Sequence, residues 1–352
     1  MVELRIDSIA EALGLESLSK TPLEIKVADN TVSFSTEGDD YHMEVVADCQ
    51  GDSKFDVRVP LAVFQSVLST VDKNESIKLS PKKNYLEVKA GSSKSRIATV
   101  DEDLREYGGH LLDLEYELIA KVSADELNEG IKRCFYARNK DKIAGWVFRN
   151  LLIEASGNMV FLAASDSYRM STYKIEAEIL KPARLLVRGE LIGALGKVVR
   201  RLNDTILLYS STASLRLISS NSALSVATSE GVYPNVKALI EGHRNGQEIK
   251  LLEPAQLKSA LIRAKAFQGK EAAVSKCHVL GNTMTVVTEG AWGSHEEELP
   301  LVGEHPEIFF DVTSNFLSEP LAQMKSFSLS VGGDMVTLED GANLYMFAQR
   351  RR

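Results

Sequence analysis

A chain of 352 residues is too long for one ordinary domain and suggests two or three. Its 44% hydrophobic and 26% charged residues are those of a globular protein, not of a disordered or fibrous one. The formal net charge of −8 speaks against a compact, sequence-specific DNA binder, yet it leaves room for a protein that meets nucleic acid with a single basic surface.

From the N-terminus, Leu23 to Val27 and Val32 to Thr36 alternate with period two around Ala28-Asp29-Asn30, which predicts a strand, a tight turn and a second strand. The same plan returns at Leu151 to Glu154, Gly157-Asn158 and Met159 to Ala163, and again at Cys277 to Leu280, Gly281-Asn282 and Met284 to Thr288. Asn158 follows Asn30 by 128 residues and Asn282 follows Asn158 by 124, so the chain contains a long internal repeat. A second landmark keeps the register. Phe55 to Leu68, Ala183 to Val199 and Glu307 to Leu321 each read as a strand entering a helix, with Val59, Val187 and Val312 in equivalent places. Short alternating strands follow each: Ser76 to Leu79 with Tyr85 to Lys89, Thr205 to Tyr209 with Ser214 to Ile218, and Ser326 to Val331 with Met335 to Glu339.

Each copy also opens with a helical segment, Asp7 to Leu18, Ser123 to Arg138 and Glu253 to Phe267, the second carrying a capping box at Ser123 and Glu126. The expectation is an α+β protein of three tandem units, each with helices packed on antiparallel meanders. Polar or glycine-bearing linkers at Gly108 to Leu118 and Glu241 to Gln247 place the units at 1–117, 118–245 and 246–352.

The helix expected from Glu190 to Leu202 sets Leu191, Leu195, Val198 and Leu202 on one side and Lys197, Arg200 and Arg201 on the other. Alone, such a face is a solvated surface. The helices that open the second and third copies share the excess, with Lys132, Arg133 and Arg138 on the one and Lys258, Arg263, Lys265 and Lys270 on or just beyond the other. Cations that contact phosphates without reading bases would give sequence-independent DNA binding. The loop Asn139 to Arg149 adds Lys140, Lys142 and Trp146, an aromatic that either stacks on a nucleotide or packs on its own unit.

No catalytic constellation stands out. The six histidines are scattered without metal-ligand spacing, and Cys49, Cys134 and Cys277 lack CxxC spacing and read as buried small hydrophobes. There is no Gly-Lys-Ser/Thr phosphate loop and no Gly-x-Ser-x-Gly elbow. Glu296-Glu297-Glu298 reads as an acidic strand edge; the rival is a metal-dependent hydrolase working through Asp166 and this cluster. No apolar run approaches the roughly 18 to 20 residues a spanning helix requires, and the first residues carry no signal core, so a cytoplasmic location without membrane contact is expected.

The middle of the chain, Phe161 to Glu176, reads as a hairpin whose turn groups Tyr168, Arg169 and Met170, a mixture suited to gripping a peptide. Its ASDSYRMS resembles the Ala-Thr-Asp-Gly-His-Arg-Leu-Ala signature of the bacterial DNA polymerase III beta subunit, the sliding-clamp family, with Ser165, Ser167, Tyr168 and Met170 in place of Thr, Gly, His and Leu. LKSALIRAKAFQGKEAAVSKCHV, HEEELPL, EIFFDVTSNFL and YPNV are similar to that family's third-domain opening helix, Glu-Glu strand, strand before the last helix and Phe-Pro-Asp segment. With the order of three α+β units, the resemblance spans nearly the whole chain. The first unit starts shorter and YMFAQRRR lacks the family's closing Met-Pro, which marks a divergent member.

The resemblance implies a non-enzymatic processivity factor without cofactor or metal. It would be a head-to-tail homodimeric ring around double-stranded DNA that tethers a DNA polymerase and meets a clamp loader and other replication and repair proteins through short peptide motifs. Lys132, Arg133, Arg138, Lys140, Lys142, Trp146, Lys197, Arg200, Arg201, Lys258, Arg263 and Lys265 would face DNA. A peptide cleft would be lined by Phe148, Ser165, Ser167, Tyr168, Arg169 and Met170, by Pro234, Ala238 and Leu239, and by Met346, Phe347 and Ala348, with Arg169 as polar guide. Ala266 and Phe267 would meet Lys94, Arg96 and Ile97 of the partner at the ring interface. An alternative is a clamp-like protein of a phage or mobile element that binds clamp partners without normal loading.

Overall fold

The computed structural model describes residues 1–5, 22–72, 75–101, 111–141, 145–200, 205–243, 246–267 and 273–350. The helix expected from Asp7 to Leu18, the glycines of the first linker, and Lys142, Arg201 and Lys270 lie outside the described residues. In chain order the elements are β1 (Val2–Arg5), β2 (Pro22–Ala28), β3 (Thr31–Gly38), β4 (Tyr41–Asp48), β5 (Phe55–Pro60), α1 (Leu61–Leu68), β6 (Ser76–Pro81), β7 (Tyr85–Ala90), β8 (Ser93–Ala98), β9 (Glu117–Ser123) and α2 (Ala124–Phe135). Then come β10 (Leu151–Ser156), β11 (Met159–Ser165), β12 (Arg169–Glu176), β13 (Glu178–Ile179), β14 (Ala183–Val187), α3 (Gly189–Val199), β15 (Thr205–Ser210), β16 (Ser214–Ile218), β17 (Ser222–Ala227) and α4 (Val236–His243). The last are β18 (Gln247–Ile249), α5 (Pro254–Ala264), β19 (Val274–Gly290), β20 (Gly293–Thr313), α6 (Ser314–Leu321), β21 (Ser328–Gly332), β22 (Met335–Asp340) and β23 (Asn343–Ala348). This mixed α and β order matches the expected α+β plan.

The chain forms two compact units, one of Met1–Ile131, Leu152–Phe161 and Ile175–Gly231, the other of Lys132–Leu151, Leu162–Lys174 and Val232–Arg352. In the first, a nine-stranded sheet runs β13-β9-β15-β16-β17-β4-β3-β2-β5 and a four-stranded one β1-β6-β7-β8. The β2–β3 turn holds Asp29 at φ 49° and Asn30 at φ 63°, the left-handed pair whose twist suits a two-residue hairpin and which short polar side chains tolerate. Pro60 ends β5 at the entry to α1, whose Phe64 ring packs 5.9 Å from Phe34 of β3. In α3 the expected stripe of Leu191, Leu195 and Val198 is buried and Lys197 is exposed. A Cβ on Gly196 would stand 3.3 Å from Ile131 Cγ2, so a glycine lets α3 approach α2 closely.

In the second unit β12 pairs with β23, and β22, β21 and β18 continue the sheet. The long strand β19 folds back on itself: Ser275 Oγ lies 2.9 Å from Thr288 Oγ1 and Lys276 Nζ 2.9 Å from Glu289, which puts the turn at Gly281-Asn282 with Gly281 at φ 61°. The third strand-turn-strand is therefore present where the repeat places it. The core gathers Leu257, Leu261, Val279, Met284, Leu317, Val336, Tyr345 and Phe347.

These units cut through the middle copy. Its β17 completes a sheet with β4 of the first copy (Leu224 opposite Met43), and its β12 completes another with β23 of the third (Met170 opposite Met346). Among the described residues no helix is long and apolar enough to cross a membrane, and no group of three or more His, Cys, Asp or Glu is placed to hold a metal ion.

Candidate partner-binding surfaces

The turn between β11 and β12 is fixed by its own side chains. Asp166 Oδ1 accepts from the backbone N–H groups of Tyr168 and Arg169 at 3.0 Å each, and Ser165 Oγ donates to the Arg169 carbonyl at 2.7 Å. Ser167 sits at φ 77°, a strained position for a residue with a Cβ and one the glycine of the resembling signature would occupy freely. The Tyr168 carbonyl accepts from the Ala348 N–H at 2.8 Å while its side chain is 67% exposed, so a fixed backbone presents a free aromatic ring.

Strand pairing brings Arg169 opposite Phe347 and Met170 opposite Met346, all buried. The Asn139 N–H is shared by the Phe148 carbonyl at 2.9 Å and the Ser165 carbonyl at 3.2 Å, which draws the 145–149 turn to the end of β11. Phe148 in turn packs edge-on against Tyr233 at 5.8 Å, next to Pro234. Asn235 Oδ1 accepts from the Ala238 N–H at 3.2 Å and so caps α4, on which Ala238 and Leu239 are exposed. Thus the structure gathers Ser165, Tyr168, Arg169, Met170, Met346, Phe347 and Ala348 at the β12–β23 seam, and links Phe148 and, through Tyr233, Pro234 to it.

Arg169, the expected polar guide, is buried and paired within the chain. It is only 8% exposed, and each of its nitrogens donates within the chain: Nε to Asp166 Oδ2 at 2.8 Å, one terminal nitrogen to Glu319, the other to the Tyr136 carbonyl at 3.1 Å, with the Phe316 ring 4.8 Å away. Burial alone would lower its pKa; the Glu319 and Asp166 carboxylates reverse that and raise it, so it stays a cation. It ties the turn to α6. Burial also pushes the Tyr136 and Tyr345 phenols well above their usual range, so both stay neutral beside it. Phe316, Glu319, Tyr136 and Tyr345 carry no sequence signal for this site; no motif flags Glu319.

The basic residues divide into two sets. Lys132, Lys140, Lys197, Arg200 and Lys265 are exposed, as is Trp146 at 50%. Arg133 is paired with Asp340 at 3.0 Å, Arg263 is exposed but its Nε meets Glu297 at 3.0 Å, and Lys258 reaches the Ala322 carbonyl at 3.5 Å beyond the end of α6. Arg138 lies over the Phe135 ring at 4.6 Å.

Of the residues expected at a ring interface, Ala266 is exposed and Phe267 stacks on His295 at 5.9 Å, His295 itself meeting Glu297 at 3.1 Å. Lys94 pairs with Glu87 at 2.8 Å, and Arg96 lies over Tyr85 at 5.5 Å. Ile97, expected to face a partner, is 2% exposed, because alternation along β8 turns it inward opposite Leu86. β8 is the edge of its sheet, so what it turns outward is backbone and charge.

A fold of this order, with repeated helices on antiparallel sheets along the whole chain, is that of the bacterial sliding clamps. The chain matches the DNA polymerase III beta subunit of Thermotoga maritima at TM-score 0.87 and 16% identity, over 100% of this chain and 99% of that one. It matches the Pseudomonas aeruginosa sliding clamp bound to griselimycin at TM-score 0.86 and 13% identity, over 99% of both chains. The Caulobacter crescentus sliding clamp matches at TM-score 0.81 and 14% identity, over 100% and 99%. No protein-family model matches the sequence, and no curated protein matches it either.

Proposed function

We propose that the protein is a DNA sliding clamp: a head-to-tail homodimeric ring that encircles duplex DNA and tethers a polymerase and other partners, without catalysis or cofactor, in the cytoplasm. The three sequence copies, 1–117, 118–245 and 246–352, are its clamp domains. The observation that carries this reading is the extent of the fold likeness, 99–100% of both chains in each comparison named. Exposed Lys197 and Arg200 at the end of α3, with Lys132 on α2 of the same copy and Lys265 just after α5 of the third, suit phosphate contacts that slide. The test is retention on nicked circular DNA after loading with the cognate clamp loader. Release when the circle is linearised supports the ring, whereas equal retention on both forms removes it.

Ring closure gives a further expected result. Phe267→Asp should shift the protein from dimer to monomer in size exclusion with light scattering, since an aromatic anchor contributes about 2 kcal/mol or more to a small interface. An unchanged dimer would place the interface elsewhere.

Partner segments are read at the β12–β23 seam, where Tyr168 presents an exposed ring beside Met170. Tyr168→Ala should weaken a leucine- and phenylalanine-bearing peptide by about tenfold with the melting temperature unchanged, the cost of one aromatic contact. Met170→Lys should abolish binding. Equal affinity in both variants and wild type would show that the cleft is not here.

A further inference from the structure

The peptide-cleft reading leaves open what polar feature of a partner the seam recognises. Arg169 is buried and already meets two carboxylates, Asp166 and Glu319, so it presents little charge to an incoming carboxylate. Glu319 lies on α6 one turn beyond Phe316, whose ring faces the Arg169 guanidinium and packs edge-on against Phe347 at 6.3 Å. Its side chain is 36% exposed against 17% for Asp166 and 8% for Arg169, so the charge that meets solvent here is a carboxylate. Two carboxylates share one buried guanidinium, and the trio carries a net negative charge.

Resting on the cleft reading, we propose that Glu319 is the specificity-determining polar group of this surface, and that the partner segment it fits pairs apolar anchors with a lysine or arginine. A cation beside the anchors meets the outward carboxylate in a charge-assisted contact. An acidic residue at the same place meets a like charge and is rejected, so selection works by repulsion as much as by attraction.

Three labelled peptides of about ten residues, each with leucine and phenylalanine anchors and with Lys, Gln or Glu beside them, test this by fluorescence anisotropy on the full-length protein. The expected order is Lys, then Gln, then Glu, with about three- to fivefold between the first two, the size of a partly exposed ion pair. Raising salt should compress the order. Glu319→Gln should erase it, and Glu319→Asp, which keeps the charge, should preserve it; thermal melts of both check that the Arg169 anchorage survives. Equal affinities in the wild type, or an order that persists in Glu319→Gln, overturn the assignment while leaving the cleft in place. Absence of binding by all three peptides overturns the cleft and the assignment together.

Discussion

Replacing Lys197, Arg200 and Arg201 together with glutamate should release the protein from nicked circular DNA. Lys197 and Arg200 are exposed on α3 opposite buried Leu191, Leu195 and Val198, so the fold has no stake in their charge and circular dichroism should not change. Each phosphate contact contributes about 0.9 to the slope of log affinity against log salt, so losing three should flatten that slope by about 3. Reversal adds repulsion to the loss, and retention should fall by at least about tenfold at low salt. Retention and slope equal to the wild type would take this helix out of any DNA-facing surface. Binding should show no preference among DNA sequences, because cations on a helix face that touch phosphates carry no base readout.

Arg169→Ala should be the most destabilising single change near the partner surface. It strips Asp166 and Glu319 of their cation and the Tyr136 carbonyl of its donor, and it removes the guanidinium from the Phe316 ring. Breaking a buried pair by deleting one partner costs about 3–5 kcal/mol, and the partial exposure of Glu319 places this case at the lower end. Denaturant unfolding would read that loss directly. A cost below about 1 kcal/mol would show that the ion pairs are solvated and that the turn stands without them. Because Arg169 also fixes the backbone that presents Tyr168, the variant should lose peptide affinity even at temperatures where it remains folded.

The candidate site was partly legible before any coordinates. Pairing Met170 with Met346 and Arg169 with Phe347 joins residues that the resemblance had already grouped. What it could not supply was the state of each side chain. Arg169, expected as a polar guide, is buried in ion pairs, and Glu319, 150 residues away in sequence, is the most solvent-facing charge of the group. Ion pairs across such separations leave no periodic trace in a sequence.

The sequence by itself determined the local units and their repetition. Two-residue periods gave the strands, Asp29-Asn30 and Gly281-Asn282 gave turns whose left-handed backbone only small or polar residues accept, and the stripe on α3 gave its buried face. These follow from interactions between near neighbours, which sequence spacing encodes. Tertiary structure alone decided that β17 of the middle copy would join β4 of the first and that β12 would join β23 of the third. It likewise decided that Ile97 would turn inward and that Arg133 and Arg263 would be drawn to Asp340 and Glu297. Backbone hydrogen bonds between strands are made by every residue alike, and a charged side chain pairs with whatever carboxylate the folded chain brings within reach. Neither choice can be read until distant segments meet.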